Sequence, residues 1–167
     1  MKTNKISVDE AKQDKLFYVT ANAVIVRDDG RCLILKRSER EKVYPGKWTI
    51  VGEKIEHVDL DLNNPSRQEG DVAVFVNPVQ KILERGAMEE AGIKIKPQSE
   101  FIADRAIVRP DGIPVIVLVY KAFYESGEVK PQEGDFTDFA WANAEELASY
   151  DCISGIIGDI KAALHDR

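Results

Sequence analysis

Residues 77 to 92 carry a helix whose start, buried face and stop are all written in the sequence. Asn77-Pro78 places an N-cap before a proline at the first helical position, where a missing N–H costs nothing. Val79, Ile82, Leu83 and Ala87 recur at three- and four-residue steps and form one apolar stripe. Gly92 ends the helix near Ala91 as a C-terminal cap. A helix with one apolar stripe must lie on an apolar layer, and the chain on either side supplies strands to build one.

Phe17 to Val26 is rich in aromatic and β-branched residues and reads as a strand. The turn signal Asp28-Asp29-Gly30 joins it to a second strand from Cys32 to Leu35, so the two make a hairpin. Lys36 to Lys47 is charged, ends in Pro45-Gly46 and reads as a loop. Trp48 to Val51 reads as a short third strand. Asn63 to Gly70 is a polar loop, and Val72 to Val76 a short extended piece. Phe101 to Val108, Pro110-Asp111-Gly112 and Pro114 to Tyr124 read as another hairpin, and Phe136 to Trp141 as a last strand. Ala144 to Ala148 and Ile153 to Leu164 read as helices. With no repeat and no linker, the pattern predicts one α/β (α+β) domain over 1–167, a mixed β-sheet sandwiched between helices. Residues 1–15 form an N-terminal arm, and 60–76 an insertion.

Bulk properties narrow the function. The 167 residues suffice for a well-buried core, and 31% charged residues are ordinary for a soluble protein. No apolar run approaches the ~20 residues of a membrane span, and no secretory signal opens the chain, so a cytoplasmic location is expected. A net charge of −6 disfavours nucleic acid polymers, which bind through Lys and Arg. An anionic small molecule remains compatible where a divalent cation lies between it and the protein. Cys32 and Cys152 are far apart, lack metal-ligand spacing, and read as core thiols; His57 and His165 form no cluster.

The chemistry-bearing segment is Arg85-Gly86-Ala87-Met88-Glu89-Glu90-Ala91-Gly92-Ile93. Positions 86, 89 and 90 share a helix face. Two adjacent glutamates there suit a hard divalent cation, because Mg²⁺ prefers oxygen ligands and bridges carboxylates to phosphates. Arg85 and Glu89, four apart, are spaced to pair. As a plain helix end, the same residues are a solvated ion pair worth under ~1 kcal/mol. Glu90 falls beside the apolar stripe, an unusual place for a carboxylate.

Together with Gly46-Lys47-Trp48-Thr49-Ile50-Val51-Gly52-Glu53-Lys54-Ile55-Glu56, this segment resembles the signature of the Nudix hydrolases. The opening hairpin, Lys36-Arg37 after the second strand, and Trp141 followed by Ala144-Glu145-Glu146-Leu147 extend the resemblance over nearly the whole chain. It implies a Nudix fold and hydrolysis of a diphosphate linkage in a nucleoside diphosphate derivative. It also implies Mg²⁺ or Mn²⁺ as cofactor, and a homodimer as one assembly. Glu89, Glu90, Arg85 and Glu53 are the implied catalytic residues. Glu89, Glu90, Gly52 and Glu56 are the implied metal site, and Arg37, Lys47 and Glu133 the implied substrate contacts. Asp135, close to Glu133, is an equal candidate. Trp48 and Tyr44 suit either the core or stacking on a base.

Three departures from the family pattern stand out. Gly86 occupies the place of the glutamate that follows the arginine, a metal ligand in the family. Glu53 occupies the place of the second glycine of a Gly-Gly turn. If Asp59 fills the earlier acidic position, 25 residues (85 − 59 − 1) separate it from Arg85 against the family's seven. The first two departures suggest an exchange, in which the Glu53 carboxylate takes the space vacated at Gly86. The alternative is a Nudix-fold nucleotide-binding or regulatory module with impaired catalysis. An isomerase acting on a diphosphate ester is a third reading, for which no further acid or nucleophile is evident.

Overall fold

The computed structural model describes residues 5–165. A seven-stranded mixed sheet lies between two helices. Its strands are β1 (Tyr18–Val26), β2 (Cys32–Arg37), β3 (Trp48–Thr49) and β4 (Val51–Lys54), then β7 (Lys94–Val108), β8 (Pro114–Ser126) and β9 (Phe136–Ala142). A separate hairpin pairs β5 (Arg67–Glu69) with β6 (Val72–Val74). The helices are α1 (Pro78–Ala91) and α2 (Ile156–Leu164).

The main path runs β3-β2-β1-β8-β7, with β4 on β1 and β9 on β2. β1 and β8 run parallel from Tyr18↔Val115 to Val26↔Phe123, and the other pairs are antiparallel. Two-residue periodicity divides the core. Ala21, Ala23, Ile25, Leu33 and Leu35 pack towards α1 with Ile82, Leu83 and Ala87. Val24, Cys32, Ile34, Val117 and Val119 pack towards α2 with Ile156 and Ile160. Cys32 to Leu35 is buried on both faces, which is why it reads as an unbroken apolar run.

Local details depart from the sequence reading. The Trp48–Val51 strand breaks at Ile50, because Trp48–Thr49 pairs with β2 while Val51–Lys54 turns to β1. The polar Asn63–Gly70 segment contains β5, closed onto β6 by Gly70 at φ 59°. All three residues of β5 are exposed and polar, so no apolar alternation announces it. Asn77 adopts a left-handed conformation (φ 53°, ψ 42°) and its side chain makes no capping bond. Side-chain capping needs an extended backbone at that position. Ala144 to Ala148 becomes a single 3-10 turn at Glu146–Ser149, and α2 starts at Ile156 rather than Ile153.

A bidentate ion pair fixes α2 to the sheet: Arg105 on β7 meets Asp159 at 2.8 and 2.6 Å. The Asp159 side chain is buried. Arg105→Ala leaves that carboxylate without its partner, so a loss of about 2–4 kcal/mol in urea unfolding is expected, with Asp159→Asn/Arg105→Met milder than the single change.

Candidate active-site cleft

β1 meets β2 only at Val26↔Cys32, and its earlier residues Thr20 to Ala23 pair with β4 instead. A cleft of about 710 Å³ opens where the two strands part. Its wall includes Thr20 and Asn22 of β1, Arg37 at the end of β2, Gly52 and Glu53 of β4, and Glu90 of α1.

Glu90 continues the buried stripe of α1 and is only 8% exposed. The Gly52 N–H donates to its Oε2 at 3.2 Å. A Cβ at position 52 would stand 2.6 Å from Oδ1 of Asn22, its partner across the β1–β4 ladder, so a larger residue there would displace the Asn22 amide. Burial pushes the Glu90 carboxyl up to about 8. The Gly52 N–H and the Arg37 charge pull the other way, while Glu53 and Asp135 add repulsion.

The two exchanged positions meet in space. A Cβ on Gly86 would lie 2.7 Å from Cγ of Glu53 and 3.2 Å from Cγ1 of Val51. The Glu53 side chain therefore covers the helix where its surface is bare. Its carboxylate lies 3.5 Å from Nη2 of Arg85. Burial raises the Glu53 pKa; Arg85 opposes this, and Glu89 and Glu56 add to it.

Arg85 does not hold Glu89, as their spacing suggested. Its guanidinium bonds the Asp59 carboxylate, and donates at 3.3 Å to the Lys54 carbonyl. The segment after β4 folds back over α1 and presents acceptors that out-compete an exposed helix neighbour. Asp59 is itself fixed, because the Glu56 N–H donates to its Oδ2 at 2.7 Å in a reciprocal capping box. Its carboxylate is 9% exposed.

The remaining candidates divide. Glu89 is exposed at the helix end, and Glu56 lines the cleft rim. Arg37 lines the cleft and donates to the Val43 carbonyl at 3.1 Å and to Glu41 at 2.5 Å. Lys47 lies outside the cleft, bound to Asp151 at 2.6 Å. Glu133 is exposed on a loop tied to α1 through Gln132 N–H to the Glu90 carbonyl (2.9 Å), and it does not line the cleft. Trp48 packs edge-on to Tyr150 within the α2-side core, whereas Tyr44 stays exposed at the cleft. Asn22, Arg40, Lys42 and Arg109 also line it and were not singled out from the sequence. Asn22 interrupts an otherwise apolar strand, a signal that was available; nothing distinguishes the three cations from other surface charges.

The donor set fits a hard divalent cation. Apart from Gly52, which could offer only its main-chain carbonyl, every candidate ligand is a carboxylate, and Glu53 and Glu90 carry raised pKa values in part because they repel their acidic neighbours. Among the described residues, no group of three or more His, Cys, Asp or Glu side chains is placed to hold a metal ion together. Mg²⁺ does not require one, since it is commonly held by one or two carboxylates with substrate phosphates and waters completing the shell.

No family model matches the chain. A nucleoside triphosphatase NudI of Klebsiella pneumoniae is 27% identical over 136 residues, spanning 76% of this chain and 83% of that protein. NudI of Escherichia coli K12 gives the same identity and coverage. Among solved structures, a MutT NUDIX hydrolase from Burkholderia pseudomallei superposes with TM-score 0.67 at 21% identity, covering 89% of this chain and 98% of that one. The NUDIX domain of Shewanella oneidensis NrtR, complexed with ADP ribose, also gives 0.67 at 15% identity, covering 93% and 92%. The fold is the Nudix fold, and these likenesses support the family assignment that the sequence resemblance implied.

Proposed function

We propose that this Nudix-fold protein is a metal-dependent hydrolase that cleaves a diphosphate linkage in a nucleoside diphosphate derivative. The observation that carries the reading is the Glu53 side chain lying over Gly86 at the cleft wall, within electrostatic reach of the exposed Glu89 and of the buried Glu90. The names of the relatives, nucleoside triphosphatases and MutT-type hydrolases, agree with it.

Glu90 and Glu89 would hold Mg²⁺ or Mn²⁺, with Glu53 on the facing strand and Glu56 at the rim. When bound, the ion neutralises phosphate oxygens and lowers the pKa of water. Arg85, anchored by Asp59, holds the Glu53 carboxylate in orientation. The Gly52 N–H fixes one Glu90 oxygen. Arg37 supplies positive charge at the far wall for phosphate oxygens. A carboxylate not engaged by metal accepts the proton of the attacking water. The products are a nucleoside monophosphate and a phosphorylated remainder.

Phosphate release tests this, with a phosphatase added to reveal monophosphate products. The panel is nucleoside triphosphates, dinucleoside polyphosphates, ADP-ribose and nucleotide sugars, each with Mg²⁺ and with Mn²⁺. Metal-dependent turnover that falls about 10²-fold or more in Glu90→Gln is the expected result. Turnover no greater than in that variant on every substrate overturns it and favours a binding module.

A further inference from the structure

Arg37, the cation on the far wall of the cleft, is already occupied by the loop that follows it. Its Nη2 donates to Oε2 of Glu41 at 2.5 Å, and its Nε donates to the Val43 carbonyl at 3.1 Å. Nε and Nη2 form one edge of the guanidinium, the kind of edge that grips a phosphate through two parallel hydrogen bonds. Glu41 and Val43 line the cleft beside Arg37. The pair is largely shielded from water, with the Arg37 and Glu41 side chains 22% and 27% exposed.

From this geometry we propose that Glu41 is an internal competitor for the anion and gates the cleft. Its carboxylate stands where a phosphate would bind on Arg37. A phosphate-bearing ligand takes that edge by displacing Glu41 and lifting residues 39–46 off the guanidinium. The inference rests on the reading of the cleft as a diphosphate site and adds a regulatory contact to it.

The loop has a fixed stem and a lightly held tip. The Arg37 N–H donates to the Lys47 carbonyl at 2.9 Å, and the Ser38 N–H to the Asp135 carbonyl at 2.8 Å. Ser38 is buried, and its carbonyl accepts from the Glu41 N–H at 3.2 Å, which turns Glu41 back towards Arg37. Beyond this turn, the loop meets the guanidinium through one carboxylate and one carbonyl. The closed form is also strained. Tyr44 has φ 54°, a left-handed conformation that is costly for a bulky side chain, and it precedes Pro45, which favours extended backbone in the residue before it. Such strain persists only while neighbouring contacts hold it, and the bond from Arg37 to Val43 is one residue away. Opening relieves it, which offsets part of the pair's attraction. A diphosphate also brings more negative charge than one carboxylate, and Arg40 and Lys42 of the same loop line the cleft to meet it.

The test is equilibrium binding of methylene diphosphonate, a non-hydrolysable diphosphate analogue, to the full chain in saturating Mg²⁺, measured by calorimetry. Glu41→Gln keeps the side-chain length and removes the competing charge. It is expected to tighten binding about fivefold or more, because the fraction of molecules with Arg37 free rises. Glu39→Gln removes the same charge two residues away, at an exposed position outside the cleft. It is expected to leave the affinity within about twofold, which separates displacement from net charge. In an Arg37→Gln background, Glu41→Gln is expected to give no gain. Weaker binding in Glu41→Gln would mean that Glu41 positions Arg37 for the ligand, and it overturns the inference. So do unchanged binding, an equal gain in Glu39→Gln, a gain that survives Arg37→Gln, or no binding by any form. Turnover is not read, so the two readings fail separately. No phosphate release with tighter binding in Glu41→Gln refutes the hydrolase reading alone. Phosphate release with unchanged binding in that variant refutes the gate alone.

Discussion

Gly86→Glu alone is expected to damage this protein, and adding Glu53→Gly is expected to repair it. A side chain at 86 begins 2.7 Å from Cγ of Glu53 and 3.2 Å from Cγ1 of Val51. Glu53 can swing away, but Val51 is 1% exposed in the core and cannot. The single substitution should therefore cost about 1–3 kcal/mol through overpacking. It also places a fourth carboxylate among Glu53, Glu89 and Glu90. Glu53→Gly alone removes the acid that covers the bare helix, and should weaken Mn²⁺ binding and turnover about tenfold or more. The double variant returns one carboxylate to the helix and glycine to the turn, the arrangement of the family pattern. Melting temperature, Mn²⁺ binding by electron paramagnetic resonance, and phosphate release should each show the double variant better than the sum of the singles. Additive losses in all three would mean that the two positions are unrelated.

Glu90→Gln should lower turnover about 10²-fold or more while stabilising the metal-free protein at alkaline pH. The folded Glu90 carboxyl titrates near 8, raised mainly by burial from an ordinary 4.5. Between those values the native state holds a proton that the unfolded chain releases. Stability is therefore full below about 4.5 and falls as pH rises through 8. The loss is at most about 3–5 kcal/mol. Glutamine has no charge to desolvate and still accepts from the Gly52 N–H. Urea unfolding with a chelator present should show the variant and the parent alike at pH 4.5, and the variant ahead at pH 8.5. Saturating Mg²⁺ should narrow the gap by stabilising the parent alone. A gap independent of pH would place its origin outside the Glu90 charge.

On the hydrolase reading, functional and stability demands meet at Glu90. An ionisable group on the apolar stripe of α1 weakens the metal-free fold at high pH. The same burial makes its charge effective on anything bound in the cleft. On the opposite wall, strand register brings the Asn22 amide so close to Gly52 that a larger residue at 52 would displace it.

What the sequence determined by itself was periodic or local. The stripe of α1, its proline start, its glycine stop and the turns at Gly30 and Gly112 are set by contacts within a few residues and lie where expected, although β1 and β2 pair only next to their turn and β7 begins at Lys94 rather than Phe101. The crowding of Glu89 and Glu90 and the reciprocal exchange at 53 and 86 were legible too, because residue type carries them. Tertiary structure alone decided the rest. The spacing Arg85–Glu89 allows a pair, but Asp59, 26 positions earlier, takes the arginine, since the chain between them loops back. Lys47 and Glu133 were as charged and as exposed in the sequence as Arg37, and only packing separates their positions: Lys47 meets Asp151, 104 residues on. The cleft arises from β1 leaving β2 for β4, a choice of partners that no single strand encodes. Short-range periodicity fixes which face of an element is apolar; which elements meet, and hence which side chains share a site, depends on contacts distant in the chain.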